Sequence, residues 1–275
     1  MPWKHDLNPY ALGPFDVGQF KGLGIRWYGL AYITGFVLAY QALRRATLSG
    51  RVGGLDLATL ENLLLVIVFG VLVGGRMGFV VQHLDQWRLD PFFPLKLHQG
   101  GMAFFGGLAG VVICFLWFRR RHGLNLWELG DVVAPVAAFS LGIGRVANFV
   151  NGELWGKKTG SDWGVLYPMR PDAPRHPSEL YECATHLVLG VLLLVLARTP
   201  AGKRLGTVSA AFLIGYGLLR CVTEVWREQE YSVGPFSAGQ IASLVTALVG
   251  VVLLFLPNGE NQQKYGGETA PSGND

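Results

Sequence analysis

Seven apolar runs, separated by short polar or basic stretches, set the pattern of this chain. They are Trp27 to Leu43, Leu63 to Val81, a run that opens at Gly100-Gly101-Met102-Ala103-Phe104-Phe105-Gly106-Gly107 and ends at Arg119-Arg120-Arg121, Leu126 to Phe149, Leu180 to Leu196, Thr207 to Trp226, and Ile241 to Leu256. A helix needs about 20 apolar residues to cross the hydrocarbon core of a bilayer. The pattern therefore predicts an all-α integral membrane protein with seven transmembrane helices over residues 25–256. Residues 1–24, polar and rich in Gly and Pro, precede it. Residues 150–176 hold aromatics and no low-complexity bias, so they read as a small folded extramembrane element between helices 4 and 5. The Gln-, Gly-, Asn- and Ser-rich stretch 257–275 reads as a disordered tail.

Composition agrees with the membrane reading: 51% of residues are hydrophobic, 15% are charged, and Gly reaches 38 of 275. The formal charge of +4 comes from basic clusters between the runs, which points to topology and anionic lipid rather than nucleic acid. Arg44, Arg45 and Arg51, then Arg119 to Arg121, then Arg198, Lys203 and Arg204 fall in alternate connections. The positive-inside rule puts those connections in the cytoplasm, with the N-terminus outside and the C-terminus inside. No cleavable signal peptide is apparent, so the first helix is expected to direct insertion. Cys114, Cys183 and Cys221 sit in apolar segments without metal-ligand spacing, and neither a disulfide, a metal nor a cofactor is expected.

Against this apolar background the charges stand out. Arg145 closes the fourth run, with Asn148 on the same helical face and Asn151 and Glu153 just beyond. An arginine at bilayer depth costs roughly 2.5–3.5 kcal/mol on insertion scales unless it finds a partner, water or a headgroup. A snorkelling arginine among helix-packing glycines is the plain alternative. Asp131 lies fourteen residues earlier in the same run. The two are about 21 Å apart along a helix axis, too far to pair. In the sixth run Arg220, Glu224 and Arg227 follow at i, i+4 and i+7, so an intrahelical pair competes with a site role for Arg220. Arg76, among Gly74, Gly75 and Gly78, either joins the polar set or ties glycine-packed helices together through backbone carbonyls. His176-Pro177 suits entry into the fifth helix.

The stretch Gly144-Arg145-Val146-Ala147-Asn148-Phe149-Val150-Asn151-Gly152-Glu153-Leu154-Trp155-Gly156 resembles the G-R-x-x-N-F-x-N-G-E signature of bacterial prolipoprotein diacylglyceryl transferases. Arg26-Trp27-Tyr28-Gly29, Gly74-Gly75-Arg76-Met77-Gly78, Gly100-Gly101-Met102, His176-Pro177-Ser178-Glu179-Leu180-Tyr181-Glu182, and Gly215-Tyr216-Gly217 with Arg220 and Glu224 are similar to the family's other motifs, in order. The resemblance implies a multi-pass enzyme of the bacterial inner membrane that moves the diacylglyceryl group of phosphatidylglycerol to the lipobox cysteine of a preprolipoprotein signal peptide. A thioether forms and glycerol phosphate leaves. It implies catalytic roles for Arg145, Arg220, Tyr28 and Glu153, and contacts to substrate from Arg145, Asn148, Asn151, Gly156, Glu224 and Arg76. Guanidinium suits this chemistry because it binds phosphate bidentately.

One position departs from the family pattern. Phe105 stands where many members carry a histidine, and Gln99 where an acidic residue is usual. A thiol with pKa near 8.5 needs a base or an electropositive setting. His98, His83, Glu153 or the arginines themselves are the candidates. Two other classes stay open on the sequence: a phosphatidylglycerol-binding relative with impaired catalysis, and a small-solute transporter, for which no internal repeat is visible.

Overall fold

The computed structural model describes residues 1–17, 20–96, 101–228 and 232–255. His98, Gln99 and the tail 257–275 lie outside the described residues. The long helices are α1 (Trp27–Leu48), α2 (Leu57–Gln82), α4 (Phe104–His122), α5 (Leu126–Asn151), α6 (Ser178–Leu196), α7 (Thr207–Thr223) and α8 (Ala238–Phe255), with a short α3 (Leu84–Leu89) after α2. They overlie the seven apolar runs. Of them α2, α5, α6 and α8 are long and apolar enough to cross a membrane.

The chain divides into two compact units, residues 43–129 and residues 1–42 with 130–275. In the first, α2 and α4 pack antiparallel through glycines: a Cβ on Gly70 would lie 2.7 Å from the Gly110 carbonyl oxygen, and one on Gly78 would lie 2.7 Å from the Gly106 Cα. Only backbone on backbone fits there. Asp56 begins α2 by accepting the Thr59 amide at 2.7 Å, a capping arrangement. Arg76, 5% exposed, sends its guanidinium to the carbonyls of Phe93, Pro94, Lys96 and Gly101 at 2.5–3.2 Å. Phe105, in the first turn of α4, is 77% exposed.

In the second unit Ala134 and Ala138 of α5, Leu189 and Leu193 of α6 and Val208 of α7 form the buried core. Asp131, 4% exposed, accepts the Gly206 amide at 2.7 Å and the Ser209 amide and hydroxyl at 2.8 Å, so a carboxylate caps the start of α7. Helix α8 lies antiparallel against α7 with its small residues inward: Ser243, Ala247 and Gly250 are buried, while Leu244, Leu248, Val252 and Phe255 are exposed. Small side chains pack and large apolar ones face out, the arrangement lipid favours and water does not.

Residues 1–24 carry more structure than their composition suggests. Strands β2 (Tyr10–Val17) and β3 (Phe20–Arg26) make an antiparallel hairpin leading into α1. Strand β1 (Trp3–Lys4) runs parallel to β4 (Val165–Tyr167), which pairs antiparallel with β5 (Arg170–Arg175). The stretch 150–176 is thus a folded element, and the N-terminus is its edge strand. His5 stacks on Tyr167 with ring centroids 5.4 Å apart, and Trp3 stacks on Phe149 at 5.6 Å. Burial beside the Glu179 carboxylate, to which its hydroxyl donates at 3.1 Å, pushes the Tyr167 phenol far above its ordinary pKa.

Candidate active site

The last turn of α5 supplies the first half of the site. Gly152 takes a left-handed conformation (φ 67°), its amide donates to Phe149 O at 3.0 Å, and the Glu153 amide donates to Asn148 O at 3.0 Å. This Schellman closure satisfies the terminal carbonyls and turns Glu153 back over the helix end. Tyr28, in the first turn of α1, meets both sides of it: its hydroxyl donates to Glu153 Oε2 at 3.0 Å and receives Asn148 Nδ2. Asn151 Nδ2 reaches Glu153 Oε1 at 3.4 Å, while its Oδ1 is sealed with no partner among the described residues. Arg145, one turn earlier, touches Asn148 Oδ1 at 3.5 Å.

The second half gathers on Glu182 of α6, which is 1% exposed. Arg145 Nε lies 2.7 Å from its Oε2, and Nη1 of Arg220 and of Arg227 lie 2.9 and 3.3 Å from its Oε1. Arg220 Nη1 also lies 2.7 Å from Glu224 Oε2. The contacts to the two Oε2 atoms are ionic rather than aligned hydrogen bonds. Glu224 in turn accepts the Ser237 hydroxyl at 3.1 Å, and Gly239 leaves it room, because a Cβ there would lie 2.7 Å from its Cδ. So the Arg220–Glu224 pair expected within one helix exists, but it is one edge of a network spanning α5, α6 and α7.

The three guanidiniums outnumber the two buried carboxylates they touch, Glu182 and Glu224. The described contacts of Arg145, Arg220 and Arg227 use Nε and Nη1 of their guanidiniums. Their side chains are 17%, 12% and 19% exposed, so none of the three is fully sealed. The cluster has the guanidinium donors to hold an anion.

Tyr28, Arg145, Asn148, Asn151, Glu153, Arg220 and Glu224 all fall within this one unit, linked by the contacts above. Gly156 stands apart from the cluster and plays a backbone part. A Cβ on it would lie 2.5 Å from His176 O and 2.7 Å from Trp226 O. Its amide donates to His176 O at 2.9 Å, and Lys157 donates to Trp226 O at 2.8 Å, joining the segment after α5 to those before α6 and after α7. Arg76, Phe105 and His83 belong to the other unit; His83 Nδ1 is 2.9 Å from the Phe79 carbonyl oxygen. His176 sits at the entry to α6, edge-on to Trp163 with centroids 5.1 Å apart, and its burial holds the imidazole below its ordinary pKa.

Sequence reasoning named Glu182 and Arg227 within their motifs but gave neither a place in the site. Glu182 closes the His176 to Glu182 motif, and a carboxylate three residues into an apolar run was the available signal. Nothing in local sequence says that Arg145 of α5, Arg220 of α7 and Arg227 just beyond α7 converge on it.

Helices that turn large apolar side chains outward, around a buried arginine–carboxylate cluster, define an α-helical membrane protein with a cationic site. A family model described as Prolipoprotein diacylglyceryl transferase matches residues 16–256, and the chain belongs to that family of bacterial membrane transferases. Similar proteins include the phosphatidylglycerol–prolipoprotein diacylglyceryl transferase of Shewanella sp. strain MR-4, 37% identical over 90% of this chain and 94% of that one. The proteins of that name from Vibrio cholerae strain O395 and Vibrio vulnificus strain CMCP6 are each 40% identical, over 87% of this chain and 89% of theirs.

Proposed function

We propose that this chain transfers the diacylglyceryl group of phosphatidylglycerol to the thiol of a lipobox cysteine in a preprolipoprotein. The observation that carries this reading is the trio Arg145, Arg220 and Arg227, gathered on the buried Glu182 with each arginine side chain still 12–19% exposed. In the reaction the sulfur attacks the glyceryl carbon that bears the phosphodiester oxygen. A C–S bond forms, that C–O bond breaks, and glycerol phosphate departs carrying one more negative charge. Guanidinium donors held in place where this charge develops lower the barrier. The thiol proton goes to Glu153, whose carboxylate stands exposed at the end of α5 with the Tyr28 hydroxyl and the Asn151 amide on its oxygens. Asn148 and Asn151 orient the headgroup glycerol, and Glu182 and Glu224 hold the arginines in place. Phe105 does not supply a base in this scheme.

The setting follows from the same reading. Seven spans place the N-terminus outside and the C-terminus in the cytoplasm of a bacterial inner membrane, supported by the alternate basic connections. Phosphatidylglycerol enters sideways from the bilayer, since its acyl chains gain nothing by leaving it. Transfer from labelled phosphatidylglycerol to a lipobox peptide by the purified protein tests the proposal, comparing wild type with Arg145→Ala and Phe105→His. Transfer by wild type that disappears in Arg145→Ala supports it. A silent wild type that gains activity in Phe105→His means a lipid-binding relative that has lost its base. Silence from all three overturns it.

A further inference from the structure

A cleft of about 490 Å³ opens among Glu153, Trp155, Met169, Arg170, Arg227 and Glu228. That size falls within the roughly 300–1,000 Å³ of pockets that hold small ligands. Two of its wall residues belong to the cluster: Arg227 lies 3.3 Å from Glu182, and Glu153 holds Tyr28. All six lie outside the helices, Glu153 just past α5 and Arg227 just past α7. Trp155 follows α5, Met169 lies in the β4–β5 turn, Arg170 opens β5, and Glu228 lies beyond α7. The cleft therefore continues the site out of the helices and into the polar, non-helical part of the unit.

We infer that this cleft binds the residues of the acceptor polypeptide that immediately follow its reacting cysteine. The inference rests on the transferase reading. A thiol delivered to the arginines must leave the rest of its chain along an adjoining path, and Arg227 and Glu153 border both places. Extended backbone carries polar groups that hydrocarbon cannot satisfy, whereas acyl chains are best left in lipid, so a cleft walled by non-helical segments suits polypeptide. Its charge points the same way. Glu153 and Glu228 balance Arg170 and Arg227, which matches neutral amide dipoles and offers no net positive charge to a second phosphate.

The walls combine a fixed anchor with a yielding lip. Trp155 Nε1 donates to Glu228 Oε2 at 2.8 Å, and Arg175 Nη1 donates to the same oxygen at 2.6 Å, which locks the indole in place. Arg170 lies over that ring, 5.6 Å from its centroid. A rigid aromatic offers contact area at low entropic cost. Met169 is 76% exposed, and its flexible thioether accommodates varied side chains.

The experiment uses the full chain with phosphatidylglycerol and two acceptor peptides, one ending at the cysteine and one continuing several residues beyond it. Arg170→Ala and Trp155→Ala are compared with wild type. The expected result is a KM for the long peptide raised roughly five- to tenfold in both variants, the loss of one good contact. The KM for the short peptide and for phosphatidylglycerol stays unchanged. Equal shifts for both peptides, or no shift in Arg170→Ala, which is exposed and keeps the fold, overturns the inference while transfer itself persists. Absence of transfer by wild type to either peptide overturns the underlying reading as well.

Discussion

Arg145 lies in α5 and Arg220 in the last turn of α7, yet both are held by a carboxylate on α6. Replacing either with Ala is expected to slow transfer by about 10²–10³, the usual cost of removing one donor aimed at developing charge. Single-turnover measurement with bound phosphatidylglycerol separates this from weaker binding. Glu182→Ala should act differently. It leaves three guanidiniums crowded around an empty place, and breaking a buried ion pair from one side costs about 3–5 kcal/mol. Thermal unfolding in detergent should therefore drop for Glu182→Ala and change far less for Arg227→Ala, which leaves Glu182 two of its three partners. The residue types of the site were legible in the sequence because charge is rare in an apolar run. Glu182 was not, because its importance lies in what faces it across α5 and α7.

At the scale of the element, helix ends do most of the positioning. The Schellman closure at Gly152 aims Glu153, and Asp131 starts α7 and so fixes how far along Arg220 is carried. Asp131→Ala is expected to cost about 1–3 kcal/mol by stranding buried donors, read as a lower unfolding midpoint. Gly156→Ala should loosen the junction of three segments, because its methyl would press on two carbonyls; faster amide exchange at Lys157 and His176 would report it. The pH response of this element follows from two groups. Burial lowers the His176 pKa, so the folded imidazole holds a proton less tightly than the unfolded one. As pH falls below its ordinary value near 6.5 the unfolded form binds more protons, and stability is lost down through the lowered value. Asp172, bonded to Lys158 at 2.7 Å and held below its ordinary 3.8, contributes stability above that value and loses it as pH falls through its lowered one. Exchange protection in residues 156–176 should accordingly weaken in two separate steps on acidification. Ser237 and Gln240 show how an end is missed: Ser237 N meets Gln240 Oε1 and Gln240 N meets Ser237 Oγ, both at 3.0 Å. This capping box begins α8 at Ala238, three residues before the apolar run at Ile241.

For the whole molecule, reporter fusions at the connections after Arg45, Arg121 and Arg204 should read cytoplasmic, and one at residue 160 should read external; the reverse would invert the proposed orientation. The sequence alone determined the helices, the membrane setting and the family, because hydrophobic period and rare charge are local properties that survive without neighbours. It also set where helices stop, to within a few residues, wherever apolar character and caps coincide. Only the tertiary structure decided that Trp3 and Lys4 add a strand to β4, since two residues carry no period of their own. Nor could sequence say that Gly156 serves a backbone junction, or that Glu182 draws Arg145, Arg220 and Arg227 together. Such contacts join residues far apart along the chain, and their energies exist only once packing has removed water from between them.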